Sequence, residues 1–435
     1  MQYYSLNNNS PKVSFQEAVV KGLAPDKGLY FPEEIKSLDA TFFQNIDSYS
    51  NNEIAFELIK QFVGDEIPTT ILKKIIADVL SFDFPLIEVE KDIYSLELYH
   101  GPTMAFKDVG ARFMARCLSY FNKRNPTQVT VLVATSGDTG GAVASGFLGV
   151  KGVDVVILYP SGKVSDIQEK QLTTLGQNIR ALEVDGVFDD CQAMVKEAFL
   201  DTSITTKMQL TSANSINIAR WLPQMFYFTF AYKQLKMSFR AESRNKKLIF
   251  SVPSGNYGNI CAGMMAQKLG LPIDLFIAST NANKVVPTYL ETEIYEPKPS
   301  IQTIANAMDV GDPSNFIRIE KLHENNFEKL KNNLHSYSFT DDQTRDAMQN
   351  LYANHNYIAD PHGAIGYLGV KKYLESNNAQ CIFLETAHPI KFLPVIDPKI
   401  ASEIKIPEQI KSVLGKEKVA TQISEYSELK VFLLN

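Results

Sequence analysis

An α/β fold with a mainly parallel sheet built from βαβ units is predicted for this chain. Three observations carry that expectation. Through the middle of the sequence, apolar runs of strand length alternate with helical patterns. Glycine-rich or small-polar turns follow three of those runs directly. At 435 residues the chain exceeds what one hydrophobic core usually serves, so two or three domains are expected, with room for a site between them.

Residues 1–95 hold short helical stretches and Pro-marked turns. Strands are expected at 129–134, 153–159, 179–184, 248–252, 273–279 and 381–385. Between them a helix is expected over 189–200, where Ala193, Val195, Ala198 and Phe199 give a partly apolar face. The most apolar stretch, 221–232, is interrupted by Pro223 and Gln224 and falls short of the roughly 20 residues of a membrane span, so it reads as a buried helix. Residues 285–375 are polar and largely helical. Both flanks read as coverings around the α/β core. The turns at 136–141, 254–259 and 386–388 lie where strands end, in the crevice where open α/β sheets bind ligands, so one composite site is expected from all three.

Composition narrows the function. With 45% hydrophobic and 21% charged residues the chain is an ordinary globular protein. A net charge of −6 with scattered basic residues gives no footprint for nucleic acid or for an anionic membrane. Cys117, Cys191, Cys261 and Cys381 are far apart in mostly apolar segments and read as buried free thiols. No signal peptide is readable, which makes a cytoplasmic protein the expectation. The six histidines, His362 and His388 among them, lack metal-ligand spacing, and no metal is expected.

Three constellations carry chemistry. His100-Gly-Pro-Thr-Met-Ala-Phe-Lys107-Asp108 is a turn opening a helix; its lysine, taken alone, is indistinguishable from a solvated helix residue. Thr135-Ser136-Gly137-Asp138-Thr139-Gly140-Gly141 follows a strand and leads into a small-residue helix. Free amides and hydroxyls at such a helix start suit a carboxylate or phosphate; the alternative is a tight turn with a capping hydroxyl. Ser254-Gly255-Asn256-Tyr257-Gly258-Asn259 also joins a strand to a helix, and its two glycines let backbone amides converge as a nest for a phosphate dianion. Neither loop has dinucleotide-binding or Walker spacing, and Gly162-Lys163-Val164-Ser165 lacks the upstream glycine of a P-loop. A lysine in a structured turn, a phosphate nest and a second anion site together match the needs of pyridoxal 5'-phosphate: a Schiff-base lysine, an anchor for the cofactor phosphate and a holder for the substrate carboxylate.

With these and further segments in order, the sequence resembles the threonine synthase family, within the fold type II (tryptophan synthase β-like) pyridoxal-phosphate enzymes. The further segments are Gly28-Leu-Tyr-Phe-Pro32, Asn214-Ser-Ile-Asn217 with Arg220, Asp360-Pro-His-Gly363, and Thr386-Ala-His-Pro389 with Lys391-Phe392. The resemblance implies two parallel or mixed α/β sheet domains with the cofactor between them, plus N-terminal and inserted mainly helical segments. Residues 1–95 would pack on the core, 96–215 form the smaller domain with the lysine and substrate turn, and 216–435 the larger cofactor-binding domain, with a helical insertion at about 285–375.

By the same resemblance Lys107 is the catalytic Schiff-base lysine, Gly255, Asn256, Tyr257, Gly258 and Asn259 cradle the cofactor phosphate, and Thr386 is a neutral partner of the pyridine nitrogen. Asp138 is implied near the cofactor O3′ and the substrate. Thr135, Ser136, Thr139, Asn214, Ser215, Asn217 and Arg220 are implied to hold the substrate, O-phospho-L-homoserine, which water and the enzyme would turn into L-threonine and phosphate by γ-elimination and β-addition of water. A guanidinium at Arg220 suits a phosphate on chemical grounds as well. A related phospholyase or a serine/threonine dehydratase is the alternative. Monomer or homodimer is the expected assembly. Two mild departures stand out: Lys163 where arginine is common, and Gly363 where threonine is frequent. The first family segment lies close to the start of the sequence, so a plant-type regulatory extension sensing S-adenosylmethionine is not expected.

Overall fold

The six apolar runs read as strands all pair in parallel sheets. The computed structural model describes residues 1–123, 128–238 and 246–435. Val129–Ala134, Val153–Pro160 and Ile179–Val184 lie side by side in a five-stranded, all-parallel sheet, with Gln209–Ser212 on one edge and Thr421–Ile423 on the other. Lys247–Pro253, Leu275–Thr280 and Ala379–Glu385 form the middle of a six-stranded sheet, extended by Leu334–Ser338 on one side and by Ile93–Glu97 and Leu86–Glu90 on the other; only the last pairing is antiparallel. A third, small antiparallel sheet joins Gln2–Ser5, Val13–Ser14 and Tyr30–Pro32.

Strands covered on both faces favour apolar side chains in nearly every position, which is why Val129–Ala134 is apolar except for the buried Thr130. Alternate residues separate cleanly. Val131, Val133, Val155 and Ile157 of the smaller sheet share one core with Phe250, Val252, Phe276 and Leu384 of the larger one, together with the N-terminal helix residues Ile54, Leu58 and Phe62. The opposite faces build separate cores, Leu132, Val156 and Leu182 in one and Ile249, Ile277 and Phe383 in the other. The two sheets therefore face a common interior.

Several expectations change in detail. A contiguous division at 95/96 and 215/216 does not follow the sheets: Ile93–Glu97 belongs to the larger sheet, and Thr421–Ile423 returns to the smaller one. Parallel pairing selects neighbours by exposed edge and not by sequence position, so both excursions are compatible with the fold. The stretch 285–375 is not only helical, because Leu334–Ser338 is an edge strand, and its helix Pro361–Leu374 is largely buried against the sheet. In the helix Phe188–Leu200 the buried face is Cys191, Met194, Val195 and Ala198, while Ala193 is exposed. The helix Met225–Met237 lies in the main core behind the short turns Ile218–Trp221 and Leu222–Gln224, which accommodate Pro223. All four cysteines are free and buried. Among the described residues no helix is long and apolar enough to cross a membrane, and no cluster of His, Cys, Asp or Glu is arranged to hold a metal ion.

Candidate active site

The carboxyl ends of both sheets open onto one cavity of about 390 Å³. Its wall includes Lys107, Thr135, Ser136, Thr139, Asn214, Ser215, Arg220, Thr386 and the whole loop Gly255, Asn256, Tyr257, Gly258 and Asn259. The three turns thus form one site.

Lys107 opens the helix Lys107–Asn122, and the turn before it is tied to the end of strand Ala379–Glu385. The Phe106 amide donates to the Thr386 carbonyl at 2.9 Å, and the His388 amide donates to the Met104 carbonyl at 3.1 Å. These bonds fix the lysine and Thr386 relative to one another. Burial pushes the Lys107 amine below the ordinary lysine value; Asp138 offsets part of this, whereas Lys391 and Arg220 add to it. A buried amine so placed is more readily neutral, the form that attacks a carbonyl or takes a proton.

The strand Lys247–Pro253 runs into a left-handed Tyr257, which caps the helix Gly258–Lys268. Asn259 donates its side-chain amide to the Pro253 carbonyl at 2.8 Å, bracing the loop from below. A Cβ on Gly255 would stand 2.7 Å from Met308 Cα and 2.8 Å from the Ala307 carbonyl oxygen, so the strap around residues 303–311 closes on this glycine. The helix start and the close approach make a cradle suited to a phosphate group.

On the other side, Gly137 has φ +132° and packs against Gln168, and the Thr135 hydroxyl accepts from the Gly137 and Gly140 amides at 2.9 and 2.8 Å. The capping alternative for this turn is realised by Thr135, while Ser136 and Thr139 also line the cavity. Arg220 is buried, and Gly110 makes room for its backbone: a Cβ there would come within 2.5 Å of the Arg220 carbonyl oxygen. One guanidinium nitrogen donates to the Ala213 carbonyl, and among the described residues Nε has no partner and no carboxylate forms a salt bridge with it. Burial lowers its pKa to about 10, which still leaves it charged. The side-chain oxygen of Asn214 is likewise buried without a partner. A bound anion would satisfy the free Arg220 Nε, whereas the Asn214 oxygen needs a donor, such as a hydroxyl or an ammonium group.

Two implied site residues are placed differently. Asn217 is not in the cavity wall; it donates to the Val19 and Ser212 carbonyls and accepts from the Ala219 amide, so its amide group is committed to capping Ile218–Trp221. Asp138 also lies behind the wall, where its Oδ1 accepts from Lys391 at 2.9 Å and Gln168 at 3.0 Å. Burial alone would raise its pKa, but Lys391 and Lys107 hold it well below the usual carboxylate range. Asp138 therefore reaches Lys107 by its field. Residues outside the sequence motifs complete the wall, among them Gln224, Lys196, Lys298, Asn306, Met308 and Asp309. Polar residues in helices and loops leave no pattern that marks them as site residues.

Pyridoxal phosphate fits this wall, which holds the Lys107 amine, the loop Gly255 to Asn259 at a helix start, and the free Nε of Arg220. The comparisons agree. Residues 84–383 match the family model described as pyridoxal-phosphate dependent enzyme, and residues 2–80 that of the threonine synthase N terminus. The chain is 41% identical to the threonine synthase of Buchnera aphidicola subsp. Acyrthosiphon pisum over 100% of both chains. It is also 41% identical to that of Escherichia coli, over 94% of each, and 35% identical to that of Saccharomyces cerevisiae over 91% of this chain and 88% of the yeast one. The crystal structure of the Escherichia coli threonine synthase superposes with a TM-score of 0.92 at 39% identity, covering 100% of both chains. The pyridoxal-phosphate-bound threonine synthase of Brucella melitensis does so with a TM-score of 0.90 at 31% identity, covering 100% of this chain and 98% of that one. The chain belongs to the threonine synthase family of pyridoxal-phosphate-dependent enzymes.

Proposed function

We propose that this enzyme converts O-phospho-L-homoserine and water into L-threonine and inorganic phosphate. The observation that carries the choice of a phosphorylated substrate is Arg220, a buried guanidinium that makes no salt bridge among the described residues and keeps a free Nε, in the same wall as Lys107. Gly255 to Asn259 would hold the cofactor phosphate through their amides, Lys107 would carry the Schiff base, and Thr386 would face the ring nitrogen with a neutral hydroxyl. Ser136, Thr139, Asn214, Ser215 and Arg220 would hold the substrate's carboxylate and phosphate, with Thr135 shaping the turn. Two lobes follow from this reading, one around each large sheet, with the cofactor between them.

When bound, pyridoxal phosphate supplies the electron sink that makes protons at the substrate's Cα and Cβ removable. Lys107, whose neutral form burial favours, would take and return those protons. Arg220 and the Ser136 and Thr139 hydroxyls stabilise the charge that grows on the phosphate as it leaves Cγ. Water then adds at Cβ. The cavity walls keep other water from the reacting atoms.

The test is incubation of the cofactor-loaded enzyme with O-phospho-L-homoserine, with phosphate and the organic product both quantified. Threonine stoichiometric with phosphate supports the reading. Phosphate with 2-oxobutyrate would make the enzyme a phospholyase, and turnover of unphosphorylated threonine or serine alone would make it a dehydratase.

A further inference from the structure

The Asp360-Pro-His-Gly363 segment meets Glu385 in the interior. Asp360 and Glu385 have no exposed surface, and His362 is 2% exposed. The Asp360 amide donates to Glu385 Oε1 at 2.6 Å. Asp360 caps the helix Pro361–Leu374: its Oδ1 accepts the His362 amide at 2.7 Å and lies 2.5 Å from His362 Nδ1. The remaining oxygens, Asp360 Oδ2 and Glu385 Oε2, are buried, and among the described residues neither has a hydrogen-bond partner, although the two residues are already joined through the Asp360 amide. Two facing carboxylates cannot both stay ionised in a buried site; one proton between them satisfies both orphan oxygens.

The far side of His362 fixes its protonation. Its Nε2 receives the Ala307 amide at 3.2 Å. A backbone amide can only donate, so Nε2 is the unprotonated nitrogen and Nδ1 carries the hydrogen directed at Asp360. Ala307 is in the strap that closes on Gly255, which Asp309 folds by accepting from Thr303 Oγ1 at 2.7 Å and Asn281 Nδ2 at 2.8 Å. Gly363 is part of the same arrangement, since a Cβ there would stand 1.6 Å from Glu385 Oε2. A side chain at position 363 would thus collide with the second carboxyl.

We propose that Glu385, Asp360 and His362 form a single proton-sharing chain whose purpose is to position the 303–311 strap on the Gly255 cradle. A proton shared between Glu385 and Asp360 ties the two carboxyl groups, Asp360 Oδ1 takes the hydrogen of His362 Nδ1, and His362 Nε2 fastens the Ala307 amide. All three are positioning residues. Their effect on cofactor affinity rests on the cradle's holding the cofactor phosphate; the tautomer does not.

Glu97, Tyr357, Tyr99, His388 and Lys391 also surround the chain, and the Tyr357 hydroxyl donates to Glu97 at 3.2 Å. Burial and the neighbouring carboxylates Asp360 and Glu97 all favour the protonated form of Glu385. Glutamine at 385 can reproduce both bonds, its oxygen accepting from the Asp360 amide and its NH₂ donating to Oδ2, whereas alanine can make neither.

The experiment is ¹⁵N NMR of the full chain with labelled histidine, assigned with His362→Gln, from about pH 6 to about pH 9. Cofactor affinity is then measured by fluorescence for the unaltered chain, Glu385→Gln and Glu385→Ala. The expected signal is a His362 ring with its hydrogen on Nδ1 and none on Nε2. Glu385→Gln should keep that signal and bind pyridoxal phosphate within about twofold of the unaltered chain, while Glu385→Ala weakens binding by roughly tenfold or more. An Nε2–H tautomer or a charged His362 in the unaltered chain overturns the proposal, and so does equal loss of affinity in the glutamine and alanine variants. Neither readout involves turnover, so a failed substrate assignment leaves both interpretable.

Discussion

Gly255→Ala probes the cradle directly. The glycine does not adopt a positive φ, so alanine there meets no backbone penalty of its own and the effect is steric. The added Cβ would lie 2.7 Å from Met308 Cα and 2.8 Å from the Ala307 carbonyl oxygen. Both are backbone atoms, which cannot rotate away, and an ordinary carbon contact is about 3.5–4.0 Å. The strap must therefore retreat by about 1 Å at Met308. Its hydrogen bond from Ala307 to His362, already 3.2 Å long, stretches out of range with it. Overpacking of this kind costs about 1–3 kcal/mol, and 1.4 kcal/mol is a factor of ten in affinity. Pyridoxal phosphate is expected to bind roughly 5- to 150-fold more weakly to Gly255→Ala. The assay is equilibrium titration of the cofactor-free protein, followed by quenching of the sole tryptophan, Trp221, or by the visible band of the lysine–cofactor adduct. A dissociation constant within about twofold of the unaltered enzyme, with the far-ultraviolet spectrum unchanged, would refute the argument that the strap closes on this glycine.

Other perturbations separate the remaining parts of the site. Arg220→Met should lower kcat/KM for O-phospho-L-homoserine by about 30- to 150-fold, corresponding to about 2–3 kcal/mol, with cofactor affinity little changed; Arg220→Lys should recover only part. Burial lowers the Arg220 pKa more than Asp108 raises it, so the same methionine variant should raise the melting temperature of the ligand-free protein, and a fall would mean that Asp108 compensates the buried charge. Lys391→Met leaves Asp138 buried beside only Gln168 and Lys107, so urea unfolding should show a loss of about 3–5 kcal/mol, and a loss below about 1 kcal/mol would mean that the pair is not desolvated. Gly363→Ala should cost about 2–4 kcal/mol in the unaltered chain but much less on a Glu385→Ala background; additive losses in that double-mutant cycle would sink the packing argument. Burial, with Lys391 and His100 adding to it, lowers the His388 pKa from 6.5 to about 4, so its contribution to stability is fully present above about pH 6.5 and is lost as pH falls toward 4. The loss is about 3 kcal/mol at most and smaller for partial solvent screening, and His388→Gln should flatten it; unchanged acid sensitivity would show that His388 is not responsible.

The parts of the fold legible in the sequence are those with a strong local cause. Val129–Ala134 and Ala379–Glu385 are apolar on both faces because helices or the facing sheet cover both, and such runs stand out. Leu334–Ser338 and Leu86–Glu90 do not: they are edge strands, half-solvated, and His335, Ser336, Glu88 and Glu90 interrupt the pattern. Thr421–Ile423 is only three residues long, so its membership of the smaller sheet is decided by a partner more than 230 residues away in sequence. The site divides the same way. The turns at 135–141 and 254–259 are recognisable because glycines mark backbone that must turn tightly or be approached closely. Asn217 and Asp138 belong to the same motifs, but a motif records proximity and not direction, and both side chains turn to structural partners behind the cavity wall. The chain of Glu385, Asp360 and His362 is invisible in one dimension, since a carboxylate at the end of a strand and one at a helix cap acquire meaning only when they share a buried proton.

The return of Thr421–Ile423 to the smaller sheet sets the order in which that sheet can be completed. Strand Ile179–Val184 must leave one edge of N–H and C=O groups unpaired while more than 230 further residues, including four strands of the other sheet, are synthesised. During that interval the edge is open to pairing with another chain. Closing it late sequesters the edge and staples the two sheets through a continuous covalent path, out to the larger sheet and back again. A nascent chain stopped anywhere before residue 421 thus presents an unsatisfied parallel edge, and the strand segment itself, supplied in trans, is the natural ligand for it.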